Sequence, residues 1–205
     1  MRVLVACEYS GTVRDAFLKA GHDAMSCDLL PTDVPGPHYQ GDVFDVINNG
    51  WDMVIAHPPC TYLSRAGARW TYKSGKLNND RYIKGLLAKD FFLKLLNVDC
   101  TYVAIENPTP MKVFELPPHS QVVQPYQFGH PFSKRTLLWL KNLPQVIPTN
   151  VLKDFTPYLP SNTGGKKRGQ SFSRGTSKNW KQSAKTFQGI ADAMAAQWGN
   201  LPTHA

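Results

Sequence analysis

The stretch WDMVIAHPPCTYLS, residues 51–64, decides the fold of this chain. Its residues 53–56, MVIA, form an uninterrupted apolar run, which predicts a strand buried on both faces of a sheet. Two prolines end the strand, because neither has an N–H to donate to a sheet ladder. Cys60 follows, just past the carboxyl end of the strand, where open α/β sheets place their chemistry. We therefore interpret Cys60 as a candidate nucleophile, with a buried structural cysteine as the alternative.

A second apolar run, TYVAIENP at residues 101–108, ends in Glu106 and Asn107. It predicts another buried strand with polar side chains at its carboxyl end. Because the carboxyl ends of parallel strands meet at one edge of a sheet, the thiol and the carboxylate are expected to lie together. This pairing indicates a nucleophile and an acid.

The chain before these strands predicts a strand–helix–strand unit. Residues 2–7 and 23–29 are predicted strands, and residues 12–20 are a predicted helix that ends at Gly21. Units of this kind join parallel strands by a right-handed connection. We predict an α/β, Rossmann-like fold with a mostly parallel central sheet flanked by helices. Residues 30–40, which include three prolines, are expected to form a stiff surface loop.

Three further elements follow. A turn and an apolar strand are predicted for residues 128–140, and an amphipathic helix for residues 186–198. Another helix is predicted from about residue 80 to residue 96, with apolar residues at every fourth position. Core packing is a sufficient explanation for that stripe, which consists of Ile83, Leu87, Phe91 and Leu95.

Length and composition bound the class of protein. The 205 residues suit one core, and we expect a catalytic domain over 1–150, a basic arm or reduced recognition segment over 151–185, and a C-terminal helix over 186–205. Four scattered cysteines without a Cys-x-x-Cys pair argue against a metal and for a reducing, cytoplasmic compartment. No stretch approaches the ~18 apolar residues of a membrane span, and the first residues lack a signal-peptide layout.

The charge indicates a polyanionic partner. A net charge of +8 and a pI of about 9.4 are typical of proteins that bind nucleic acid, with a generically basic soluble protein as the alternative. The expected long loop over residues 61–79 carries Arg65 and Arg69 among aromatic residues. Cations bind phosphates and aromatic faces stack on bases, so this loop is a candidate contact.

A second basic segment lies near the C-terminus. Residues 155–190 contain no Asp or Glu, and their cations are spaced by small polar residues. This pattern predicts a flexible arm that neutralises phosphates, with a merely solvated tail as the alternative. Its candidate contacts are Lys166, Lys167 and Arg168.

The motif Pro58-Pro59-Cys60, with Ser64 four residues on, and the later Glu106-Asn107 resemble the two catalytic motifs of cytosine-5 DNA methyltransferases. The resemblance covers nearly the whole chain, which looks like a very short member of the sort that phage genomes carry. It implies a class I S-adenosylmethionine-dependent methyltransferase fold, with DNA as the partner and residues 186–198 packed beside the cofactor turn.

The resemblance also implies a cofactor site. The turn after the first strand is similar to an aromatic-x-Gly-x-Gly motif of which only Gly11 is kept. Its small residues let backbone amides approach S-adenosylmethionine, and Glu8 would meet the ammonium of the methionine part. Asp28 would hold the ribose, and Asp42 the adenine amino group; a solvated loop charge is the alternative for each acid. The expected site is completed by Cys7, Ser10 and Pro58.

The mechanism that the resemblance implies begins with addition of the Cys60 thiolate to carbon 6 of cytosine. Glu106 would protonate ring nitrogen 3, which requires a raised pKa. Carbon 5 then takes the methyl group, loses its proton and releases the thiol. Arg135, helped by Lys134, would face the substrate, and Arg65 or Arg135 would lower the pKa of the thiol.

The chain departs from the family pattern at three places. Only about 45 residues stand where relatives carry a target-recognition domain. His57 replaces a usual glycine, and Pro108 a usual aliphatic residue. Methylation of free cytidine nucleotides such as dCMP, methylation of RNA, and non-catalytic nucleic-acid binding therefore stay open as alternatives.

Overall fold

The computed structural model describes residues 1–158 and 185–203. A seven-stranded sheet forms its centre, in the order β3-β2-β1-β4-β5-β7-β6. Neighbours among the first five strands in this order pair in parallel, and β7 pairs antiparallel with both β5 and β6. The strands, numbered in chain order, are β1 (Arg2–Ala6), β2 (Asp23–Asp28), β3 (His38–Gln40), β4 (Met53–Ala56), β5 (Tyr102–Asn107), β6 (Gln121–Val123) and β7 (Thr136–Lys141).

Helices cover both faces of the sheet because the central strands are apolar on both sides. Val3 and Val5 of β1 pack in one layer with α1 and α4, where Phe17 and Trp198 are fully buried. Alternate residues of the same strands pack in the other layer with α3. The helices are α1 (Thr12–Lys19), α2 (Ala68–Thr71), α3 (Asn79–Leu96) and α4 (Gln188–Trp198).

This strand order, with one antiparallel strand next to the edge, is the Rossmann-like fold of class I S-adenosylmethionine-dependent methyltransferases. The prediction of a mostly parallel sheet flanked by helices is confirmed. The two motif strands, β4 and β5, are neighbours, so their carboxyl ends lie at the same edge. No helix within residues 1–158 and 185–203 is long and apolar enough to cross a membrane.

Two segments expected to be loops contain regular structure. Residues 30–40 include β3, which pairs with β2 and extends the sheet. Residues 61–79 hold the 3₁₀ turn Arg65–Gly67, the helix α2 and a small hairpin of Tyr72–Lys73 with Lys76–Leu77. These elements are too short for a periodic pattern, which explains why the sequence did not predict them.

The expected packing of the apolar stripe on α3 is wrong for half of its members. Ile83 is 55% exposed and Leu87 is 66% exposed, whereas Leu95 is fully buried. The buried face is instead built around Gly85, where an added Cβ would overlap the Phe114 ring. The side of α3 that carries Gly85, Phe92 and Leu95 therefore faces the core, and Ile83 and Leu87 lie outside it.

Candidate active site

The carboxyl ends of β4 and β5 are tied together by a side chain. Asn107, which is 1% exposed, donates from Nδ2 to the carbonyl oxygen of Pro58 at 3.0 Å. The Ser64 amide donates to the carbonyl oxygen of Cys60 at 2.8 Å, which closes a turn directly after the thiol. Ser64 also bridges to Pro110 in the loop after β5. The backbone around Cys60 is therefore held by the neighbouring strand end.

His57 and Glu106 form a close, largely buried pair. Their Nδ1 and Oε2 atoms are 2.8 Å apart, because the parallel register that pairs Ala56 with Ile105 brings the next two residues side by side. Burial alone would lower the pKa of His57, but the hydrogen bond and charge of Glu106, with a contribution from Glu8, outweigh it and raise this pKa. The raised pKa favours the imidazolium form of His57 beside the Glu106 carboxyl.

The raised pKa that the mechanism requires of Glu106 in a closed site stays a prediction, and in this structure the shift has the opposite direction. Burial by itself would raise it, but the hydrogen bond and charge of His57 outweigh burial and lower the pKa of Glu106. The reason is His57, which stands where the motif that this stretch resembles has a glycine. Lys134 lowers this pKa further.

The Cys60 thiol keeps its proton at rest. Burial and the charge of Glu106 raise the pKa of Cys60, against smaller lowering effects of a backbone hydrogen bond and of Lys134. The cation that acts on the thiol is thus Lys134, whereas Arg65 or Arg135 was expected. Arg135 itself is exposed, directly before β7.

The turn after β1 has a backbone that only certain residues adopt easily. Cys7 has a φ of 58° and Gly11 a φ of 72°, both left-handed, and a Cβ at Gly11 would also overlap the Arg14 side chain. Glu8, which is 5% exposed, accepts from the amides of Val13 at 2.8 Å and Arg14 at 3.2 Å. Its carboxylate therefore caps α1, a position that the helix dipole favours for an anion.

A cavity of about 60 Å³ opens beside this turn. It is lined by residues 7–10, by His57 and by residues 185–186 just before α4. Cys7, Glu8 and Ser10 of the predicted cofactor site therefore share one cavity with the histidine of the buried pair. At the same place Lys185 forms an ion pair with Asp33, with Nζ and Oδ2 2.8 Å apart.

Both predicted cofactor acids lie near this turn. Burial raises the pKa of Cys7, and the charges of Asp28 and Asp42 raise it further, which places both carboxylates near the thiol. Asp28 accepts the Leu30 amide at 2.9 Å, and Asp42 accepts the Phe44 amide at 3.0 Å. Each acid orders its own loop through one carboxylate oxygen.

The predicted nucleic-acid contacts are placed in part. Arg65 and Arg69 are exposed on the segment after Cys60, and the Arg69 guanidinium lies 4.8 Å from the ring centroid of Trp70, which is 58% exposed. Lys134 is half-buried near the Cys60 site. The arm residues Lys166, Lys167 and Arg168 lie outside the described residues.

Sequence reasoning missed the roles of two residues. His57 appeared only as a departure from a motif, although the register of two parallel strands was a signal that it would face Glu106. Arg14 is fully buried and donates to the carbonyl oxygens of Val34 and Pro35, both at 3.3 Å, which holds the loop before β3 against α1. No local pattern indicated this buried arginine.

The fold and site define a Rossmann-like protein with a cysteine and a carboxylate at adjoining strand ends. The chain matches no protein-family model and no curated protein. Among solved structures it is similar to a DNMT2 mutant of Spodoptera frugiperda (16% identity, 80% of this chain, 56% of that chain, TM-score 0.37). It is also similar to the Dnmt2 methyltransferase of S. pombe (16% identity, 71% of this chain, 51% of that chain, TM-score 0.41). A third similar structure is the Entamoeba histolytica methyltransferase EhMeth (12% identity, 74% of this chain, 57% of that chain, TM-score 0.45). It spans 51–57% of the length of these three chains.

Proposed function

We propose that this protein transfers a methyl group from S-adenosylmethionine to carbon 5 of cytosine in DNA, through a covalent bond from Cys60 to carbon 6. One observation carries the proposal. Cys60 follows β4 and Glu106 lies near the carboxyl end of the neighbouring parallel strand β5, a hydrogen bond from Asn107 to Pro58 joins the two strand ends, and His57 beside Glu106 lines a cavity at the turn after β1. This is the arrangement that nucleophilic catalysis at a ring carbon requires.

The chain's own groups account for the proton balance of the first step. Cys60 holds a proton and Glu106 is ionised, because the pKa of the first is raised and that of the second is lowered. As the bond between Sγ and carbon 6 forms, the S–H bond breaks and its proton passes through the Glu106 carboxylate to ring nitrogen 3. Nucleophile and activated ring are thus produced together. Bound S-adenosylmethionine supplies the electrophilic methyl group.

The preference for DNA rests on charge and exposure. The chain carries a net charge of +8, and Arg65, Arg69 and Trp70 are exposed on the segment after Cys60. Exposed cations and an exposed aromatic face suit a phosphate backbone and an unstacked base. A base in a duplex must be flipped out to reach Cys60, at a cost of a few kcal/mol.

The test is a parallel assay of labelled S-adenosylmethionine with duplex DNA, single-stranded DNA, tRNA and dCMP. We expect label in DNA, at carbon 5 of cytosine after digestion to nucleosides, and none with a Cys60→Ser variant. Label found only in tRNA or only in dCMP would identify that molecule as the substrate and leave the proposed chemistry unchanged. Label at another atom, or in none of the four, would overturn the proposal.

A further inference from the structure

His57 has one ring nitrogen with a partner and one without. Nδ1 contacts Glu106 at 2.8 Å, whereas Nε2 is buried and has no hydrogen-bond partner. Because Glu106 is ionised, the proton of their hydrogen bond lies on Nδ1, and in the imidazolium Nε2 is a second donor. A buried donor of this kind needs an acceptor.

The cavity that His57 lines carries both signs of charge. Its wall includes the Glu8 carboxylate and the His57 imidazole, with the Ser10 hydroxyl 3.1 Å from Glu8. Its volume of about 60 Å³ holds only a few non-hydrogen atoms. An α-amino-acid end, which has an ammonium and a carboxylate on one carbon, matches this charge arrangement and size.

We propose that His57 recognises the carboxylate of the amino-acid end of S-adenosylmethionine, by donating from Nε2, while the ammonium faces Glu8. The proposal rests on the proposed function for the identity of the cofactor. It gives a role to the residue that stands where the resembling family has glycine. A glycine has no side chain to offer there, so this contact is particular to chains with a donor at position 57.

The contact links the cofactor to the catalytic carboxyl. His57 contacts Glu106 through Nδ1 and also lines the cavity, so an anion bound at Nε2 would favour the imidazolium and with it the ionised Glu106. By linkage, anything that holds Glu106 ionised favours binding of the carboxylate by an equal factor. The bound cofactor thus keeps the Glu106 carboxylate ready to accept the thiol proton.

The test compares three adenosyl compounds by calorimetry. S-adenosylmethionine has the carboxylate, its decarboxylated analogue lacks only that group, and 5′-methylthioadenosine lacks the whole amino-acid end. Hydrogen bonds to charged groups account for about a 10- to 100-fold difference in affinity, so the wild-type protein should prefer S-adenosylmethionine over the decarboxylated analogue by that factor. In His57→Gly this ratio should fall to near one, through loss of affinity for S-adenosylmethionine alone.

The control is His119→Gln, at an exposed histidine whose ring lies beside Trp139 of β7. It should keep the wild-type ratio. Binding of 5′-methylthioadenosine to His57→Gly shows whether the rest of the site is intact. If it is intact and the affinity ratio is unchanged, the inference is overturned. If the wild-type protein binds none of the three compounds, the proposed function itself fails.

A measurement on the wild-type protein covers the case in which His57→Gly does not fold. The charged and titratable groups around His57 are Glu106, Glu8, Lys134 and, at the cavity wall, Cys7, Tyr9 and Lys185. The affinity ratio should fall as pH rises through the pKa of His57, because Nε2 then stops donating. A ratio that is constant across that range would contradict the contact.

Discussion

At the scale of single residues, the imidazole at position 57 sets the proton balance of the site. It favours an ionised Glu106, while burial and the charge of Glu106 favour a protonated Cys60, the reverse of the states in which the two act on a base. The site is therefore at rest until a base provides an acceptor. A glycine at this position would leave Glu106 buried without its partner, and burial would then raise the pKa of that carboxyl.

The pair predicts how stability varies with pH. The pKa of His57 is raised above its ordinary 6.5, so its contribution is full below 6.5 and is lost as pH rises through the folded value. The pKa of Glu106 is lowered from 4.5, so its contribution is full above 4.5 and is lost as pH falls through the folded value. Urea denaturation should show the largest gap between wild-type protein and His57→Gln from pH 4.5 to 6.5. A gap that stays constant from about pH 2.5 to about pH 8.5, about two units beyond each ordinary value, would contradict the pairing.

Cys60→Ser should abolish methyl transfer and leave cofactor affinity within a few-fold, because Cys60 lies outside the cavity at the β1 turn. A companion test uses DNA that contains 5-fluorocytosine, from which the fluorine at carbon 5 cannot leave as a proton does. The wild-type protein should form a covalent band on a denaturing gel, and Cys60→Ser should not. Activity on normal DNA without such a band would argue against the covalent mechanism.

The two acids near the turn should contribute to cofactor binding. Asp28→Ala and Asp42→Ala each remove an acceptor predicted to bind the nucleoside part, at roughly 1.5–3 kcal/mol or about 10- to 150-fold in affinity. Both acids also order their loops, so binding of 5′-methylthioadenosine should be measured beside melting temperature. Asp23→Ala, at an exposed acid at the other end of β2, is a matched control. Unchanged affinity in both variants would remove this half of the sheet from the cofactor site.

At the scale of elements, the sequence predicted the apolar strands well, and the short strands and the helix faces poorly. Runs such as residues 53–56 are apolar throughout, so any register buries them, and both motif strands are where the pattern predicts. On α3 the helix was predicted but its buried face was not, because Gly85 packs against Phe114 and this long-range contact leaves no local pattern. The same limit applied to His57, since its partner depends on which strands are neighbours.

The orientation of α3 can be tested with two leucines of the same stripe. Leu95 is fully buried and Leu87 is 66% exposed. Leu95→Ala should lower the free energy of unfolding by about 2–5 kcal/mol through cavity formation, whereas Leu87→Ala should change it by less than about 0.5 kcal/mol. Urea denaturation of both variants measures the difference. Equal losses would mean that the stripe is buried along its length.

At the scale of the whole molecule, the site lies along the edge of the sheet where the parallel strands have their carboxyl ends. The site is assembled from the ends of β1, β4 and β5, from Lys134 two residues before β7 and from the segment before α4. The parallel strands and the returning helix were predictable from local patterns. The place of β7 between β5 and β6 was not, because its pairing depends on long-range contacts that no local periodicity encodes. That place brings Lys134 to the Cys60 site.

The arm that was predicted from composition should supply affinity for nucleic acid without much choice of sequence. Its cations stand among Gly, Ser and Asn without an acid, so they can neutralise phosphates, and phosphate contacts carry little sequence information. Replacing Lys166, Lys167 and Arg168 together by Gln should reduce the slope of log affinity against log salt by roughly 2–3. Methylation of the preferred site should slow without moving to another site.

The matched control replaces three cations far from the site, Lys19, Lys89 and Lys94 on α1 and α3, so that net charge falls equally. If net charge alone governed binding, both triple variants would show the same slope. If the arm makes phosphate contacts, only the arm variant shows a smaller slope of log affinity against log salt, because counterions are released only where phosphates are contacted. A slope untouched in the arm variant would make the arm a bystander. Free cytidine nucleotides would then become the better substrate, since the segment before α4 is too short to hold another recognition domain.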